Sequence, residues 1–566
     1  MLLLHPTKQN FDHLDSESAE IMKKTVSFFE GRGKRRLKDD YHQCVWYQDF
    51  LDFIKNEKIF ATLLTPTKES ENKGYRWDTY RNCQFNEILG FYGLGYWYTW
   101  QVSILGLGPI WMSDNVEIKK RAAASLESGG IFAFGLSEKE HGADIYSTSM
   151  KLISDGKQAY KANGSKYYIG NANQAYLVST FAKFENNQEY VFFVVDTTHQ
   201  KYECVQNVVN SQNYVAEYQL DNYPISEKDI LSKNDDAWNA ALNTVNLGKY
   251  NLGWASIGIC THAFYEAINH ASNRVLFNQK VSEFTHIKQY FVKAYCKLFA
   301  MKLFALRGAD YIRTASSKDR RYLLYTPMVK MKVTTQGEEV INLLWDIIAA
   351  KGFEKDTFFE SACVEIRALP KLEGTVHVNM ALILKFMKNY FFKHKKLPVI
   401  PTVNGKHSDD FMFNQGPTKG LRKIRFHDYR VVYDSLDLPN VNIFKKQIRL
   451  LKMLLIFARP TKKQIKDFDF LLNIGELFTL VVYGQLIIEN AHLLKVEDRL
   501  IEQIFDFMID DFSKYALNIY SKGIANRRQR VLCKQMMKRS HQDQERFNYI
   551  LDRYVTPTNG SYQMHD

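Results

Sequence analysis

The chain changes its hydrophobic period twice, and this constrains its fold more than any other feature. From residue 16 to about 125, apolar residues recur every three or four positions, as Val45, Phe50, Leu51, Phe53 and Ile54 do, which predicts a helical domain. Between about 129 and 235 the pattern becomes short β-type runs at 151–154, 158–162, 166–169, 176–184 and 190–196. Asp155-Gly156 and Asn163-Gly164 stand between runs, and their tolerance of positive φ predicts hairpin turns in a small antiparallel sheet. Helical periodicity returns from 237 to about 395, through Trp254, Ile257, Gly258, Ala263, Ala267 and His270, then 281–307 and 337–350.

A polar, Pro- and Gly-bearing stretch at 394–414 reads as a linker. Beyond it, 442–458, 463–488, 495–521 and 527–554 read as amphipathic helices. The expected fold is mainly α around a central antiparallel β domain. It divides into an N-terminal helical domain (1–128), a β domain (129–236), a helix bundle (237–395) and a basic C-terminal helical domain (396–566).

With 566 residues, 45% of them hydrophobic, the chain can bury several cores. The apolar runs at 453–458 and 477–488 fall short of the ~20 residues that span a bilayer, and the opening residues lack the basic lead of an export signal. Seven cysteines are scattered singly, without metal-ligand spacing, so a reduced, cytoplasmic setting and no metal are expected. The net charge is +13, and from Lys393 onward 29 basic residues face 19 acidic ones. That local excess could draw nucleic acid, anionic lipid or the phosphates of a substrate. No P-loop and no Gly-x-Gly-x-x-Gly after a strand is present. The aromatic, glycine-interleaved stretch 87–100 suits helices packed around a cavity, and equally an ordinary core.

Three local sequences carry chemistry. The first is Phe134-Gly-Leu136-Ser137-Glu138 followed by Gly142-Ala143-Asp144, continuing into Asn163-Gly164-Ser-Lys166-Tyr-Tyr168-Ile169-Gly170-Asn171. The second is Asn273-Arg274-Val-Leu-Phe277, with Phe284 following. The third is Gly352-Phe353, then Arg367 and Glu373-Gly374-Thr375. In order and in register, over roughly residues 60–395, they resemble the signatures of the acyl-CoA dehydrogenase family, including its larger members with an extra helical domain after the bundle.

The resemblance implies an FAD enzyme that oxidises the Cα–Cβ bond of an acyl-CoA thioester, with Glu373 as the α-proton base and flavin N5 as hydride acceptor. By position it assigns Phe134, Leu136, Ser137, Tyr168, Ile169, Gly170, Arg274, Phe277 and Thr375 to the flavin, Arg274 reaching the pyrophosphate in a neighbouring subunit. Ala143, Lys249 and Gly374 fall to the substrate. Read from the residues alone, Glu373-Gly374-Thr375 equally suits a helix start capped by Thr375, Lys249 a solvated helix lysine, and His141 an exposed loop.

The implied partners are acyl-CoA, an electron-transferring flavoprotein and further copies of the chain, as a homodimer or tetramer, with peripheral contact to the inner membrane. Gly170 replaces a usual Thr, as in acyl-CoA oxidases, and keeps an oxidase open. Ala143, Ala349-Ala350 and Asp346 are further departures from the family pattern. A nucleic-acid-binding relative, acting through Arg527, Arg528, Arg530, Lys534, Lys538 and Arg539, is the reading from a different class.

Overall fold

A computed structural model describes residues 2–8, 11–156, 159–402 and 405–566. The first helical layer comprises α1 (Ser16–Arg32), α2 (Lys34–His42), α3 (Gln48–Asn56), α4 (Ile59–Leu64), α5 (Thr79–Tyr92), α6 (Leu94–Met112) and α7 (Val116–Glu127). Val45 lies outside α3 and is exposed. Unlike a surface helix, α5 is buried on every side, including Asn82, Asn86 and Glu87. Asp78 starts it by accepting the backbone N–H of Tyr80 at 3.1 Å. All but two residues of α6 are likewise buried, so the aromatic stretch 87–100 forms the wall between domains.

The central sheet contains β1 (Phe132–Gly135), β2 (Lys151–Ser154), β3 (Ala159–Gly170), β4 (Leu177–Phe184), β5 (Tyr190–Asp196), β6 (Tyr202–Asn207), β7 (Val215–Ser226) and β8 (Ile230–Lys233). Its order is β6-β7-β3-β2-β4-β5-β8, with β1 also paired to β4. Because β1 and β2 both run parallel to β4, the sheet is mixed rather than antiparallel.

Asn163-Gly164 is not a turn. The runs expected on either side of it form one 12-residue strand, β3, and Gly164 takes φ +136° where the register against β7 slips. The positive φ available there makes a β-bulge. A second slip between Tyr167 and Ile169 leaves Tyr168 out of the ladder at φ +71°. Asp155-Gly156 does lie between antiparallel strands β2 and β3; Gln158, where the second run was expected to start, lies outside the described residues. The sequence reading missed β6, whose side chains are mostly polar and exposed, and also β1, β7 and β8.

The bundle opens with α8 (Asn234–Asn273), a 40-residue helix that ends in a small hairpin, β9 (Val275–Leu276) and β10 (Gln279–Lys280). Then come α9 (Thr285–Arg313), α10 (Tyr322–Met328), α11 (Thr334–Ile348), α12 (Phe358–Ala368) and α13 (Val376–Phe392). A π-helical turn, Val329–Val333, joins α10 to α11 just after Pro327, which breaks the regular hydrogen-bond ladder.

Residues 394–402 and 405–414 are not a free linker: they pack against the first helical layer and the bundle. Asp409 accepts the backbone N–H of Thr79 at 2.6 Å, Arg307 donates to the Ile400 carbonyl at 2.9 Å, and Phe413 lies edge-on to Trp77. The last domain holds α14 (Tyr429–Asp434), α15 (Pro439–Phe457), α16 (Lys462–Lys466), α17 (Phe468–Leu493), α18 (Asp498–Ser521), α19 (Arg527–Met536) and α20 (Gln544–Ile550). The helix expected at 463–488 breaks at Asp467, whose carboxylate caps α17, and that expected at 527–554 breaks between Met536 and Gln544. By length and composition α17 could cross a membrane, yet 83% of its most apolar stretch is buried in protein, as in a core helix.

Helices α5 and α8 meet backbone to backbone. A Cβ on Gly90 would stand 2.7 Å from the Ala255 Cα, and one on Gly258 would stand 2.7 Å from the Phe91 nitrogen. Neither neighbour is a side chain that can move aside. Gly258→Ala is therefore expected to destabilise the protein by about 1–3 kcal/mol through overpacking, read as a lower urea midpoint at unchanged slope. An unchanged midpoint would contradict the contact.

Candidate active site

Glu373 lies in the turn before α13, with two successive left-handed residues, Glu373 at φ +52° and Gly374 at φ +83°. Left-handed backbone is costly for a residue with a Cβ, so this conformation needs holding. Lys330 holds it. From the π-helical turn, its ammonium donates to the carbonyls of Pro370 at 2.6 Å and Gly374 at 2.5 Å. Asn379 donates to the carbonyls of Gly374 at 2.8 Å and Thr375 at 3.0 Å. Thr375 is the N-cap of α13 and accepts from the Val378 N–H at 3.5 Å, so this exposed residue acts on its own helix.

Burial pushes the Glu373 carboxyl up to about 7, although Lys249, Lys330 and a hydrogen bond from Gln101 all favour its ionised form. The two lysines move the other way. Burial lowers Lys249 to about 8 against the pull of Glu373, and burial with the nearby Lys249 charge lowers Lys330 to about 7. Burial thus brings one carboxyl and two amines to similar proton affinities near neutral pH. Lys249 is only 8% exposed, which excludes the solvated-lysine reading.

On the sheet side, Tyr98 of α6 connects the site to β3. Its charge interactions include both Tyr168 and Glu373, and burial raises its hydroxyl. A Cβ on Gly170 would stand 2.5 Å from the Tyr98 ring, so the missing side chain at 170 is what admits that ring. Tyr168 is 48% exposed. The Ser137 hydroxyl donates to the Tyr167 carbonyl at 2.8 Å, linking the β1 loop to the same end of β3.

The two halves of the first sequence motif also meet. The Lys166 ammonium, fully buried, donates to Glu138 at 2.8 Å, and Glu138 accepts from Thr148 and the N–H groups of Ser149 and Met150. Burial alone would raise the Glu138 carboxyl, but these partners hold it down at about 2.

The fold therefore gathers Glu373, Gly374, Lys249, Gly170 and Tyr168, with Ser137 and Leu136 at the strand ends. Phe134 stacks on Phe192, and Ile169 is 1% exposed in the sheet's core, so both side chains support rather than line the space. Ala143 is exposed on its loop, and His141 approaches Asp144 at 3.9 Å. Arg274 and Phe277 lie at the far end of α8, with Phe277 91% exposed at φ +50°.

Sequence reading assigned no role to Lys330, Tyr98, Asn251 or Asn86. Asn86 and Gln101, polar residues flanking the apolar, aromatic stretch 87–100, were the available signal. Lys330→Met is expected to loosen the 370–375 turn selectively, with about tenfold faster amide exchange there and little change in the rest of the bundle. Unaltered exchange would mean that Lys330 does not hold the turn.

Comparison with known proteins gives a consistent answer. The family model described as acyl-CoA dehydrogenase, C-terminal domain, matches residues 235–388. A 3-(aryl)acrylate reductase of Clostridium sporogenes is 22% identical over 289 residues, 50% of this chain and 75% of that protein. The very long-chain specific acyl-CoA dehydrogenase of Rattus norvegicus is 22% identical over 360 residues, covering 58% of this chain but only 54% of the relative. The crystal structure of a Bacillus anthracis acyl-CoA dehydrogenase complexed with FAD superposes with a TM-score of 0.76 at 16% identity, over 97% of this chain and 96% of that one. The C-terminal helical domain is thus part of a fold already seen whole. Residues 235–388 thus match the acyl-CoA dehydrogenase C-terminal domain, and the chain's sequence relatives and fold neighbours include acyl-CoA dehydrogenases.

Proposed function

We propose that the chain is an FAD-dependent dehydrogenase of acyl-CoA thioesters, with Glu373 taking the α-proton. The observation that carries this reading is a desolvated carboxyl poised at about 7, on a turn held by Lys330 with the Lys249 charge nearby. A general base works best when its pKa lies near the operating pH. The end of β3 fits a flat heteroaromatic cofactor: Tyr168 is half-exposed and outside the ladder, Gly170 presents no side chain, and Ser137 lies alongside. When bound, FAD supplies a hydride acceptor at its N5.

The chain's own residues do the rest. Lys249 and Lys330 keep Glu373 ionised until it takes the proton, and burial keeps water from competing for it. Tyr98 walls the space between base and sheet. An oxidase is not favoured by Gly170, because the Tyr98 ring already occupies the room that a side chain would take. Peripheral membrane contact fits the basic last domain: Phe457, Ile465 and Phe468 are exposed among Arg459, Lys462, Lys463 and Lys466. Apolar residues among bases suit lipid better than nucleic acid.

The purified protein is expected to carry a flavin spectrum that bleaches on anaerobic addition of an acyl-CoA of suitable length. Glu373→Gln should keep the colour and lose the bleaching, by at least about a hundredfold in rate. For the active protein, kcat/KM should rise with pH through about 7, because Glu373 must lose its proton to act and is protonated below that value. A colourless protein that does not take up FAD would end the proposal; rapid peroxide formation with acyl-CoA would replace it with the oxidase.

A further inference from the structure

Five buried side chains beside Glu373 form one directed file of hydrogen bonds. Asparagine and glutamine amides are nearly symmetric in shape, so their direction has to come from partners that cannot reverse. The indole N–H of tryptophan is such a partner, because it only donates. Trp97 and Trp100 both donate to Oδ1 of Asn86, at 2.7 and 3.1 Å.

With its oxygen committed, Asn86 turns its NH2 to the Asn82 carbonyl at 2.6 Å and to Oδ1 of Asn251 at 3.1 Å. Asn251 in turn donates to Oε1 of Gln101 at 2.9 Å. Gln101 is left with its NH2 on the Gly248 carbonyl at 3.1 Å, near enough to Glu373 to favour that carboxyl's ionised form. Reversing any one amide would oppose oxygen to oxygen or N–H to N–H at a neighbour. Trp97, Trp100 and Asn86 are fully buried, and Gln101 and Asn251 are 2% and 4% exposed, which leaves water little access to repair such a fault.

We propose that Asn86 and Asn251 are positioning residues: they transmit the donor-only character of two tryptophan indoles to Gln101, so that an N–H and never a carbonyl meets Glu373. The proposal deepens the function proposed above and rests on it for its catalytic meaning. Each part of the file sits on a different wall, Trp97, Trp100 and Gln101 on α6, Asn86 on α5 and Asn251 on α8. The direction of one amide in the site is thus set by three helices together. The other groups facing Glu373 are Lys249 from α8, Lys330 from the π-helical turn and the Tyr98 hydroxyl from α6, with Lys371 acting on Lys330. None of them is a member of the file, so they provide a constant background.

The test is an infrared titration of the Glu373 carboxyl in the full chain, assigned by subtracting the Glu373→Gln spectrum, across neutral pH. Losing the N–H donor disfavours the carboxylate, so Gln101→Met should raise the midpoint by about one pH unit. Asn251→Leu removes the donor to the Gln101 oxygen and leaves its direction to the Gly248 carbonyl alone, so the midpoint should move in the same direction. The double variant Trp97→Phe, Trp100→Phe keeps both rings while removing both indole donors; it should do likewise and serves if Asn251→Leu does not fold. In an active preparation the acid limb of kcat/KM should move in parallel, which a merely structural role would not produce.

An unshifted midpoint in Gln101→Met would overturn the proposal. So would a shift in Gln101→Met with none in either Asn251→Leu or the double tryptophan variant. The titration needs neither flavin nor substrate, so a colourless or inactive protein, which would sink the enzymatic reading, leaves this outcome readable on its own.

Discussion

The backbone contact between α5 and α8 underlies everything else in the molecule. Two helices whose backbones touch can bring short polar side chains within hydrogen-bond reach across the seam, and Asn86 and Asn251 meet there at 3.1 Å. A Cβ at Gly90 or Gly258 would widen the seam, and amides of this length cannot follow. The same α8 carries Lys249 into the site and Ala255 against Gly90. Packing of two glycines and the electrostatics of a carboxyl are therefore one problem in this fold.

That carboxyl sits between opposed effects, of which burial is the larger. Moving it from 4.5 to about 7 corresponds to about 3 kcal/mol against the charged form. Two nearby amines and one amide donor limit the shift, and burial weakens the amines' own hold on their protons. Neither a fully buried lone acid nor a solvated ion pair would give this balance. The Glu138–Lys166 pair is the contrast, since several donors on one carboxylate hold it ionised at about 2, as suits an anchor and not a base.

The order helix, sheet, bundle, helix could be read from periodicity because long amphipathic helices and alternating strands differ in repeat. Asn163-Gly164 was read as a turn because the dipeptide reports only a capacity for positive φ, and pairing with β7 decides between turn and bulge. Segment 394–414 looked like a linker by composition, yet its contacts are with Thr79, Trp77 and Arg307, all far earlier in the chain. Glu373, Lys249 and Gly170 could be named from motif register. Lys330 could not, since nothing local distinguishes a lysine that reaches two carbonyls from one in solvent. The amide file was equally hidden, because its members come from three helices and each is an ordinary polar residue alone.

The length of α8 sets a limit on what one copy of the chain can do. Lys249 and Arg274 lie 25 residues apart on one continuous helix, about 37 Å by helical rise. A straight helix of that length sets Arg274 far along α8 from the Lys249 that faces its own chain's Glu373. The exposed hairpin around Phe277 and the space beside Glu373 are thus two separate surfaces of one chain, bridged only by something as long as the helix between them.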